Sequence, residues 1–386
     1  MKQTLVLFAF ITLFISSCVK EESPSGQQGG LRDIIIVNQD IQTNTVWDGD
    51  HVYRLTAPIE IRNGANLTIE PGCIIKFNEG GYILIPENSY SSILAIGTSQ
   101  NKIIFTSNGN RRHSGEWEGL IINEGHSRSS FNHCVFEYSE RAINFSGFFV
   151  DVDNSLFRYC EYSGISFDSK SEFGSFNNNT FENTVEKPIR LNATAVNSIG
   201  KGNTFGKDSY VEVYDNLDYP GRHVWKKLGI PYRIEYNYFT IFSYTSDICE
   251  LVLEPGVILE ISDGFTIGSY LGDGRLIAKG TATDPIIFKS IAYHNSGTPS
   301  YWSGIAFTEY TTGTTVLDYC KISHGGDNSY LSGNITVYSA PFGSISISNC
   351  VIEDSKQYGI YKVSTAVLPD LSNNTFKNNA SGDKNW

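Results

Sequence analysis

The sequence predicts an all-β solenoid built from two homologous halves. Three observations predict it: one segment that occurs twice, further matches that keep the same order, and a shorter period inside each half. Residues 67–77 read L-T-I-E-P-G-C-I-I-K-F, and residues 251–261 read L-V-L-E-P-G-V-I-L-E-I. In both copies apolar residues alternate on either side of a Glu-Pro-Gly corner, which is typical of two strands joined by a turn.

Further matches flank the two copies. The offset between matched partners grows from 179 to 195 residues, as insertions in loops would produce. The matched segments are Tyr53-Arg54-Leu55 with Tyr232-Arg233-Ile234, Gly97-Thr98 with Gly280-Thr281, residues 103–107 with 286–290, Trp117-Glu118-Gly119-Leu120 with Trp302-Ser303-Gly304-Ile305, residues 131–134 with 317–320, and residues 178–181 with 373–376. Their common order predicts a duplicated architecture.

Each half also repeats within itself. In the first half, segments beginning at Phe131, Val152 and Phe176 recur at spacings of 21 and 24 residues. In the second half, segments beginning at Leu317, Ile347 and Leu371 recur at spacings of 30 and 24. A period in the twenties, with short strands, Asn at the corners and no helical pattern, predicts stacked β-coils. The Leu-x-x-Leu-x-Leu-x-x-Asn spacing of leucine-rich repeats is missing.

Stacked coils place equivalent residues one above another, because neighbouring strands lie about 4.8 Å apart. Inward positions should therefore form apolar ladders, and outward positions are where function must be sought. The residues predicted to point inward are Ile69, Ile75, Phe77, Phe136 and Phe157.

These motifs resemble a known family. The repeated Glu-Pro-Gly segment, the Gly-Thr step, P-I-I-F-K-S at 285–290 and W-S-G-I at 302–305 look like the right-handed parallel β-helix of the pectate-lyase-like superfamily. More narrowly, they resemble surface lipoproteins of that fold from Gram-negative bacteria, whose activity is unassigned. The resemblance covers roughly residues 45–386. It implies the fold, but the superfamily contains lyases, hydrolases, adhesins and passive scaffolds.

The N-terminus resembles a lipoprotein signal. A basic start, Met1-Lys2-Gln3, precedes an apolar run over 4–15 that ends in Ile15-Ser16-Ser17-Cys18. Cleavage before Cys18 would allow its thiol to take a lipid, and a second acyl chain would make the anchor stable. Val19-Lys20-Glu21-Glu22 looks like an acidic tag for export to the outer face of the outer membrane, and 23–30 is a flexible tether.

We therefore divide the chain into four parts: a signal peptide at 1–17, a lipidated cysteine and tether at 18–32, a first half with an N-terminal cap at 33–215, and a second half at 216–386. The expected location is the outer membrane, facing the cell exterior. The net charge of −12 makes nucleic acid an improbable partner.

Cysteine and histidine spacing does not indicate a metal site, and no nucleophile motif or phosphate loop occurs. Cys320 and Cys350 occupy the same position of successive coils. Their expected separation lies within the range that a disulfide needs, and the compartment is oxidising. Two stacked buried thiols are the equally weighted alternative.

Polysaccharide lyases of this fold hold Ca²⁺ with carboxylates of neighbouring coils and use a basic residue as the catalytic base. The resemblance implies, as candidates, Asp151, Asp153 and Asp168 with Arg158. Against this reading, Arg158 aligns with Glu137 and Glu182 of adjacent coils. That register predicts an outward ladder of alternating charge, an ordinary means of stabilising a sheet. No family catalytic motif transfers, and outside the lyase alternative we expect no cofactor.

Aromatic residues favour binding. Sugar rings stack on exposed Tyr and Trp faces, and a long solenoid wall suits a polymer. The candidate binding residues are Tyr232, Tyr236, Tyr238, Tyr301 and Trp302. The leading hypothesis is a non-catalytic scaffold for a glycan or a cell-surface partner, and the alternative is a Ca²⁺-dependent lyase or a glycoside hydrolase. A role in filling the core or the join is the competing explanation for any single tyrosine.

Overall fold

The computed structural model describes residues 32–110, 112–147, 149–168, 171–183, 187–235, 238–269, 271–291, 300–328, 330–338, 344–363 and 365–386. Tyr236 and the lipoprotein signal with Cys18 lie outside these residues. Within them, short strands alternate with corners, and all pairs of the strands named below are parallel. The chain coils, and each strand pairs with its equivalent in the coils before and after it.

Two sheets belong to the first half only. Sheet 1 contains β2 (Thr45–Trp47), β5 (Asn66–Ile69), β8 (Ser92–Ile96), β11 (Ser129–Asn132), β14 (Phe149–Asp153) and β17 (Glu172–Asn177). Sheet 2 contains β1 (Ile34–Val37), β3 (Val52–Leu55), β6 (Ile74–Phe77), β9 (Ile103–Ser107), β12 (Cys134–Glu137), β15 (Leu156–Arg158) and β18 (Thr180–Glu182).

Sheet 3 runs through both halves. It contains β4 (Ile59–Glu60), β7 (Tyr82–Ile85), β10 (Gly119–Ile122), β13 (Arg141–Phe145), β16 (Ser163–Phe167), β19 (Ile189–Asn192), β20 (Val211–Tyr214), β22 (Tyr232–Ile234), β25 (Ile258–Ile261), β28 (Ile286–Ser290), β31 (Cys320–Ser323), β34 (Val351–Glu353) and β37 (Thr375–Lys377).

Two further sheets belong to the second half only. Sheet 4 contains β21 (Gly221–Trp225), β24 (Cys249–Leu253), β27 (Gly274–Lys279), β30 (Thr314–Asp318), β33 (Ser344–Ser348) and β36 (Asp370–Ser372). Sheet 5 contains β23 (Phe239–Ile241), β26 (Gly264–Ile267), β29 (Gly304–Phe307), β32 (Gly333–Val337), β35 (Tyr358–Lys362) and β38 (Gly382–Lys384). A short 3₁₀ helix, Ala195–Ser198, precedes the change of sheets.

The core consists of the apolar ladders that the sequence predicts. Ile69, Ile75, Phe77, Phe136 and Phe157 are all at most 1% exposed, which confirms their inward assignment. One ladder of phenyl rings illustrates the packing, because its neighbouring centroids lie 4.7–5.3 Å apart with nearly parallel planes. That spacing follows the rung distance of a parallel sheet. Its members are Phe105, Phe136, Phe157, Phe181 and Phe205.

A polar ladder holds the corner between sheets 1 and 2. Asn154 and Asn178 adopt left-handed φ values of 51° and 57°, which Asn tolerates better than most residues. The next side chain in each coil accepts a hydrogen bond from the backbone of the coil before. Ser155 Oγ accepts from Cys134 N at 3.1 Å, and Asn179 Oδ1 accepts from Ser155 N at 3.0 Å. This pairing explains the Asn, Ser and Cys residues that recur in the sequence.

The two halves are offset by one face of the solenoid. The strand after the Glu-Pro-Gly corner is β6 in the first half and β25 in the second, and these strands belong to sheets 2 and 3 respectively. Sheet 2 ends with β18 and the bridge from Thr180 to Thr204, whereas sheet 5 begins with the bridge from Leu217 to Ile241. The corner that follows this strand therefore leads into sheet 3 in the first half and out of sheet 3 in the second.

A ladder of alternating charge crosses this junction on the outer face of sheet 3. The register places Arg190, Glu212, Arg233, Glu260 and Lys289 on successive strands. Glu212, Arg233 and Glu260 are each less than 9% exposed, although they point away from the core. The Tyr210 ring covers Arg233 at 3.6 Å from the guanidinium carbon. A buried charge that loses its partner destabilises the folded state. We therefore expect this ladder to stabilise the junction between the halves.

Candidate functional site

The loops that join sheet 3 to sheet 5 form an aromatic and polar surface in the second half. We call it the Tyr238 surface. It consists of Tyr238, Tyr301, Asp327, Asn328, Tyr330 and Lys356. Tyr238 is 48% exposed and Tyr330 is 72% exposed. These residues lie in the loops that follow β22, β28, β31 and β34, and the fold brings the loops to the corner between sheets 3 and 5.

Asn328 links the two exposed tyrosines. Its Nδ2 donates to the Tyr238 hydroxyl at 3.3 Å, and its Oδ1 accepts from the Tyr330 backbone N–H at 2.8 Å. Tyr238 itself has a left-handed φ of 57°, and its ring rests on Gly264. A Cβ at Gly264 would approach a Tyr238 ring carbon to 2.9 Å, so only glycine allows the ring to lie there.

Three hydrogen bonds hold the loop that carries Asn328 against the loops of neighbouring coils. Asp327 N donates to Trp302 O at 3.1 Å, and Lys356 N donates to Gly325 O at 2.9 Å. Gln357 Nε2 donates to Gly326 O at 2.9 Å. Such a loop presents its side chains with little freedom, and a binding site gains affinity when its groups are held in place beforehand.

Charged groups complete the surface. Lys356 forms an ion pair with Asp327 and also lies 5.8 Å from the centre of the Tyr301 ring. The surface thus offers aromatic faces, an amide, a carboxylate and an ammonium group within one corner. Aromatic faces stack on the apolar side of a sugar ring, and the polar groups hydrogen-bond to its hydroxyls. No group of three or more His, Cys, Asp or Glu side chains that could hold a metal occurs among the described residues.

Two of the predicted binding residues are not at the surface. Tyr232 and Trp302 are each 1% exposed, so the prediction that their rings face a ligand is wrong. Tyr232 lies inward on β22, its hydroxyl donates to Lys226 O at 2.7 Å, and burial raises the pKa of its phenol. The Trp302 indole donates to Ser323 O at 2.8 Å, as Trp117 donates to Glu137 O at 2.9 Å. The recurring Trp is therefore a structural feature of the corner.

Tyr238 does not share a strand face with Tyr232, because β22 ends at Ile234. The sequence reasoning missed Asn328 and Tyr330. One signal was present: the spacing from Leu317 to Ile347 is 30 residues, whereas the following coil takes 24. The additional residues include the loop that carries Asn328, and binding residues concentrate in such loops.

The lyase candidates do not form a cluster. Asp151 and Asp153 lie on β14 in sheet 1, Arg158 lies on β15 in sheet 2, and Asp168 follows β16 in sheet 3. Because they belong to three faces, the prediction that these residues form one site is wrong. Asp151 instead pairs with Arg128 at 2.5 Å.

Asp153 is also engaged within its own sheet. It accepts hydrogen bonds from Ser175 Oγ and from the backbone and side chain of Asn177. A Ca²⁺ site needs six to eight oxygen ligands around one point. The candidate residues do not fit such a site, since their carboxylates are separated and two of them are already bound by protein groups.

The predicted ladder at Arg158 is confirmed in register. Glu137, Arg158 and Glu182 are Cα partners on successive strands. Its environment differs from the expectation of a solvated face, because Glu137 is only 5% exposed. The carboxylate accepts from Thr106 Oγ1 at 2.8 Å and from Arg158 Nε at 2.7 Å. Thr106 thus donates to Glu137 Oε1 the hydrogen bond that water would donate on a solvated face.

Cys320 and Cys350 are free, buried thiols, so the structure favours the second of the two predicted alternatives. Both belong to the corner ladder: Cys320 N donates to Cys350 Sγ at 3.4 Å, and Cys350 N donates to Asn374 Oδ1 at 2.9 Å. Sulfur thus takes the place that Ser155 and Asn179 oxygens take in the first half. Burial raises the pKa of the Cys320 thiol.

Comparison with known proteins agrees with the geometry. Residues 39–181 match the model of a family described as a pectate-lyase like beta helix domain. The protein is a right-handed parallel β-helix. The matched residues of the β-helix extend from the segment before β2 to Phe181 in β18, which is most of the first half. No curated protein and no solved structure matches the chain.

Proposed function

We propose that this β-helix is a non-catalytic binding module that uses the Tyr238 surface to hold a glycan. The observation that carries the proposal is the pair of exposed tyrosines, Tyr238 and Tyr330, linked through Asn328 across 90 residues of sequence. Their rings are available for stacking, and Asp327 and Lys356 offer hydrogen bonds at the same corner. The mixture of an acid and a base at this corner favours a glycan of low net charge.

Replacing Tyr238 with alanine should weaken glycan binding by roughly thirtyfold, because removal of a central aromatic anchor typically costs about 2 kcal/mol or more. The wild-type protein is first applied to a glycan array, and the best ligand is then titrated by calorimetry against Tyr238→Ala and Tyr330→Ala. Tyr90→Ala is the matched control, since Tyr90 is 66% exposed but lies in the first half.

The control should bind as the wild type does. If all three variants bound the ligand equally, the site would lie elsewhere on the β-helix. If the wild type bound no glycan on the array, the proposal would be wrong. Thermal melts of each variant, expected within a few degrees of the wild type, show whether a loss of binding reflects unfolding.

We also propose that the protein is anchored to the outer membrane by lipid on Cys18 and faces the exterior. The support is the Ile15-Ser16-Ser17-Cys18 motif and the acidic segment after it. No helix within the described residues is long and apolar enough to cross a bilayer.

Replacing Cys18 with alanine should move the protein from the membrane fraction to the soluble fraction and abolish incorporation of labelled palmitate. A second variant, Glu21→Gln/Glu22→Gln, should stay lipidated and become resistant to protease added to intact cells. Palmitate labelling of the Cys18→Ala protein at the wild-type level would contradict the anchor, and unchanged protease sensitivity of the second variant would contradict the export tag.

A further inference from the structure

The outer face of sheet 2 combines aliphatic and basic side chains in the first coils of the β-helix. Alternate residues of β1, β3 and β6 point away from the core, since Tyr53 and Ile75 between them are buried. The register places the outward residues in two columns, one of them aliphatic and the other with two cations. We call these residues the sheet 2 patch, and its members are Ile34, Val52 and Ile74 in the first column and Ile36, Arg54 and Lys76 in the second.

The aliphatic side chains of the sheet 2 patch are open to solvent. Ile34 is 59% exposed and Ile36 is 51% exposed, and both lie on β1, the strand at the end of sheet 2. Val52 and Ile74 are half-buried, and Ile104 of β9 continues their column. Contact with an apolar medium would stabilise such side chains by removing their surface from water.

The two cations of the patch stand on neighbouring strands without an acidic partner. Arg54 and Lys76 are Cα partners, so their side chains start one rung apart. Among the described residues, neither forms an ion pair within 4.0 Å. Arg54 Nε and Nη2 each lie 2.8 Å from the side-chain amide of Asn108, which is neutral. Like charges on adjacent strands repel each other, so an anion bound over both would remove a destabilising interaction.

Further along the same column, the charges of sheet 2 are paired within the protein. Arg158 lies 2.6 Å from Glu137. By contrast, the outward positions of β1, β3, β6 and β9 contain no carboxylate. The acidic residues beside these strands, Asp33, Asp50 and Glu79, lie in the corners. The unpaired cations and the exposed isoleucines therefore occur together, in the coils that follow the N-terminal segment.

The lipid anchor proposed above would bring a membrane within reach of this patch. The sequence places fifteen residues between Cys18 and Ile34. A flexible chain of that length has a root-mean-square span of roughly 20 Å. A surface held by such a tether acts as a ligand at an effective concentration in the millimolar range, so that even a weak contact would form.

We propose that the sheet 2 patch lies against the anionic lipid surface to which the protein is tethered. Lipid phosphates pair with Arg54 and Lys76, and the isoleucines enter the boundary between headgroups and acyl chains. The net charge of −12 does not prevent this contact, because charges more than about 8 Å away are largely screened at physiological salt. The contact presupposes the anchor on Cys18, and it leaves the Tyr238 surface of the second half available to its own ligand.

Vesicle sedimentation tests the contact without the anchor. The full chain carrying Cys18→Ala is mixed with phosphatidylcholine vesicles that contain about one-third phosphatidylglycerol, at about 0.15 M salt. We expect half of this parent protein to bind at about 1 mM lipid. Arg54→Gln/Lys76→Gln should raise that lipid concentration at least about tenfold, because each basic residue near an anionic surface contributes about a factor of five. Ile34→Ser/Ile36→Ser should also raise it about tenfold, since it removes apolar area.

The matched control is Lys201→Gln/Lys279→Gln, which removes the same charge from two exposed lysines outside sheet 2 and should bind as the parent does. Melts followed by circular dichroism show that each variant is folded. Equal binding by Arg54→Gln/Lys76→Gln and the parent would overturn the proposal, and so would a parent that binds no anionic vesicles at about 5 mM lipid.

Two further outcomes would contradict the lipid surface. Equal binding to vesicles of pure phosphatidylcholine would show that the cations do not select an anionic membrane. Unchanged binding by Ile34→Ser/Ile36→Ser would assign Arg54 and Lys76 to a soluble anion. Palmitate labelling tests the anchor on Cys18 separately, so a missing anchor and a missing contact give different results.

Discussion

Replacing Arg233 with alanine should lower the free energy of unfolding by about 3 kcal/mol, because it removes one member of a buried ion pair. Arg233 Nη2 lies 2.9 Å from Glu260 Oε2, and both side chains are about one-tenth exposed. Glu212 is the neighbour on the strand before. Glu260 would keep Lys289 at 3.1 Å, and Glu212 would keep Lys187 and Arg190, so the expected loss is at the lower end of what breaking a buried ion pair costs.

The measurement is thermal and urea-induced unfolding followed by circular dichroism. Arg222→Ala is the control, since Arg222 also pairs with a glutamate on the next strand, 3.3 Å away, but its side chain is 63% exposed. Exposed pairs contribute at most about 1 kcal/mol. Equal losses in the two variants would show that the junction ladder is no more important than a surface pair.

The second large effect is expected at a glycine. Gly119→Ala should cost about 4 kcal/mol or more, a range reached only by a few mechanisms such as steric conflict in the core. Gly119 has a φ of 137°, and a Cβ there would lie 1.8 Å from Arg141 O in the next coil. Gly304 holds the equivalent place, with 2.2 Å to Gly333 O. The glycine of the Trp-x-Gly motif is thus required by the approach of two backbones.

Gly221→Ala separates this conflict from backbone strain alone. Gly221 also has a positive φ, 103°, but nothing lies within 4 Å of its added Cβ. It should therefore cost only about 1–3 kcal/mol. Comparable melting temperatures for Gly119→Ala and Gly221→Ala would contradict the close approach at the Trp corner.

The register of the coils could be predicted because it follows from side-chain periodicity. The alignments that joined Phe136 to Phe157 and Phe181 agree with the Cα partners of the structure. Inward ladders follow from the same alternation. The orientation of a particular corner side chain does not follow from alternation, because corners have no fixed period. Trp302 illustrates this limit, since an aromatic ring near a corner can turn into the core or out to solvent.

The Tyr238 surface was only partly predictable for a related reason. The hydrogen bond from Asn328 to Tyr238 alone spans 90 positions, and the proximity of such residues depends on which sheet each strand joins. A sequence repeat shows which strand follows which, but not which neighbour the strand will stack on. For the same reason, the alignment of β6 with β25 gave no sign that they belong to different sheets.

The offset between the halves determines which sides of the β-helix carry their corresponding loops. The corner before sheet 3 in the first half, with its stacked Tyr138 and Tyr159, is the counterpart of the Tyr238 surface after sheet 3 in the second. Copies related by simple stacking would line up and could engage a single long ligand. Here the corresponding loops of the two halves lie at opposite edges of sheet 3. The duplication therefore places corresponding loops on two different sides of the molecule and does not form one surface of double length.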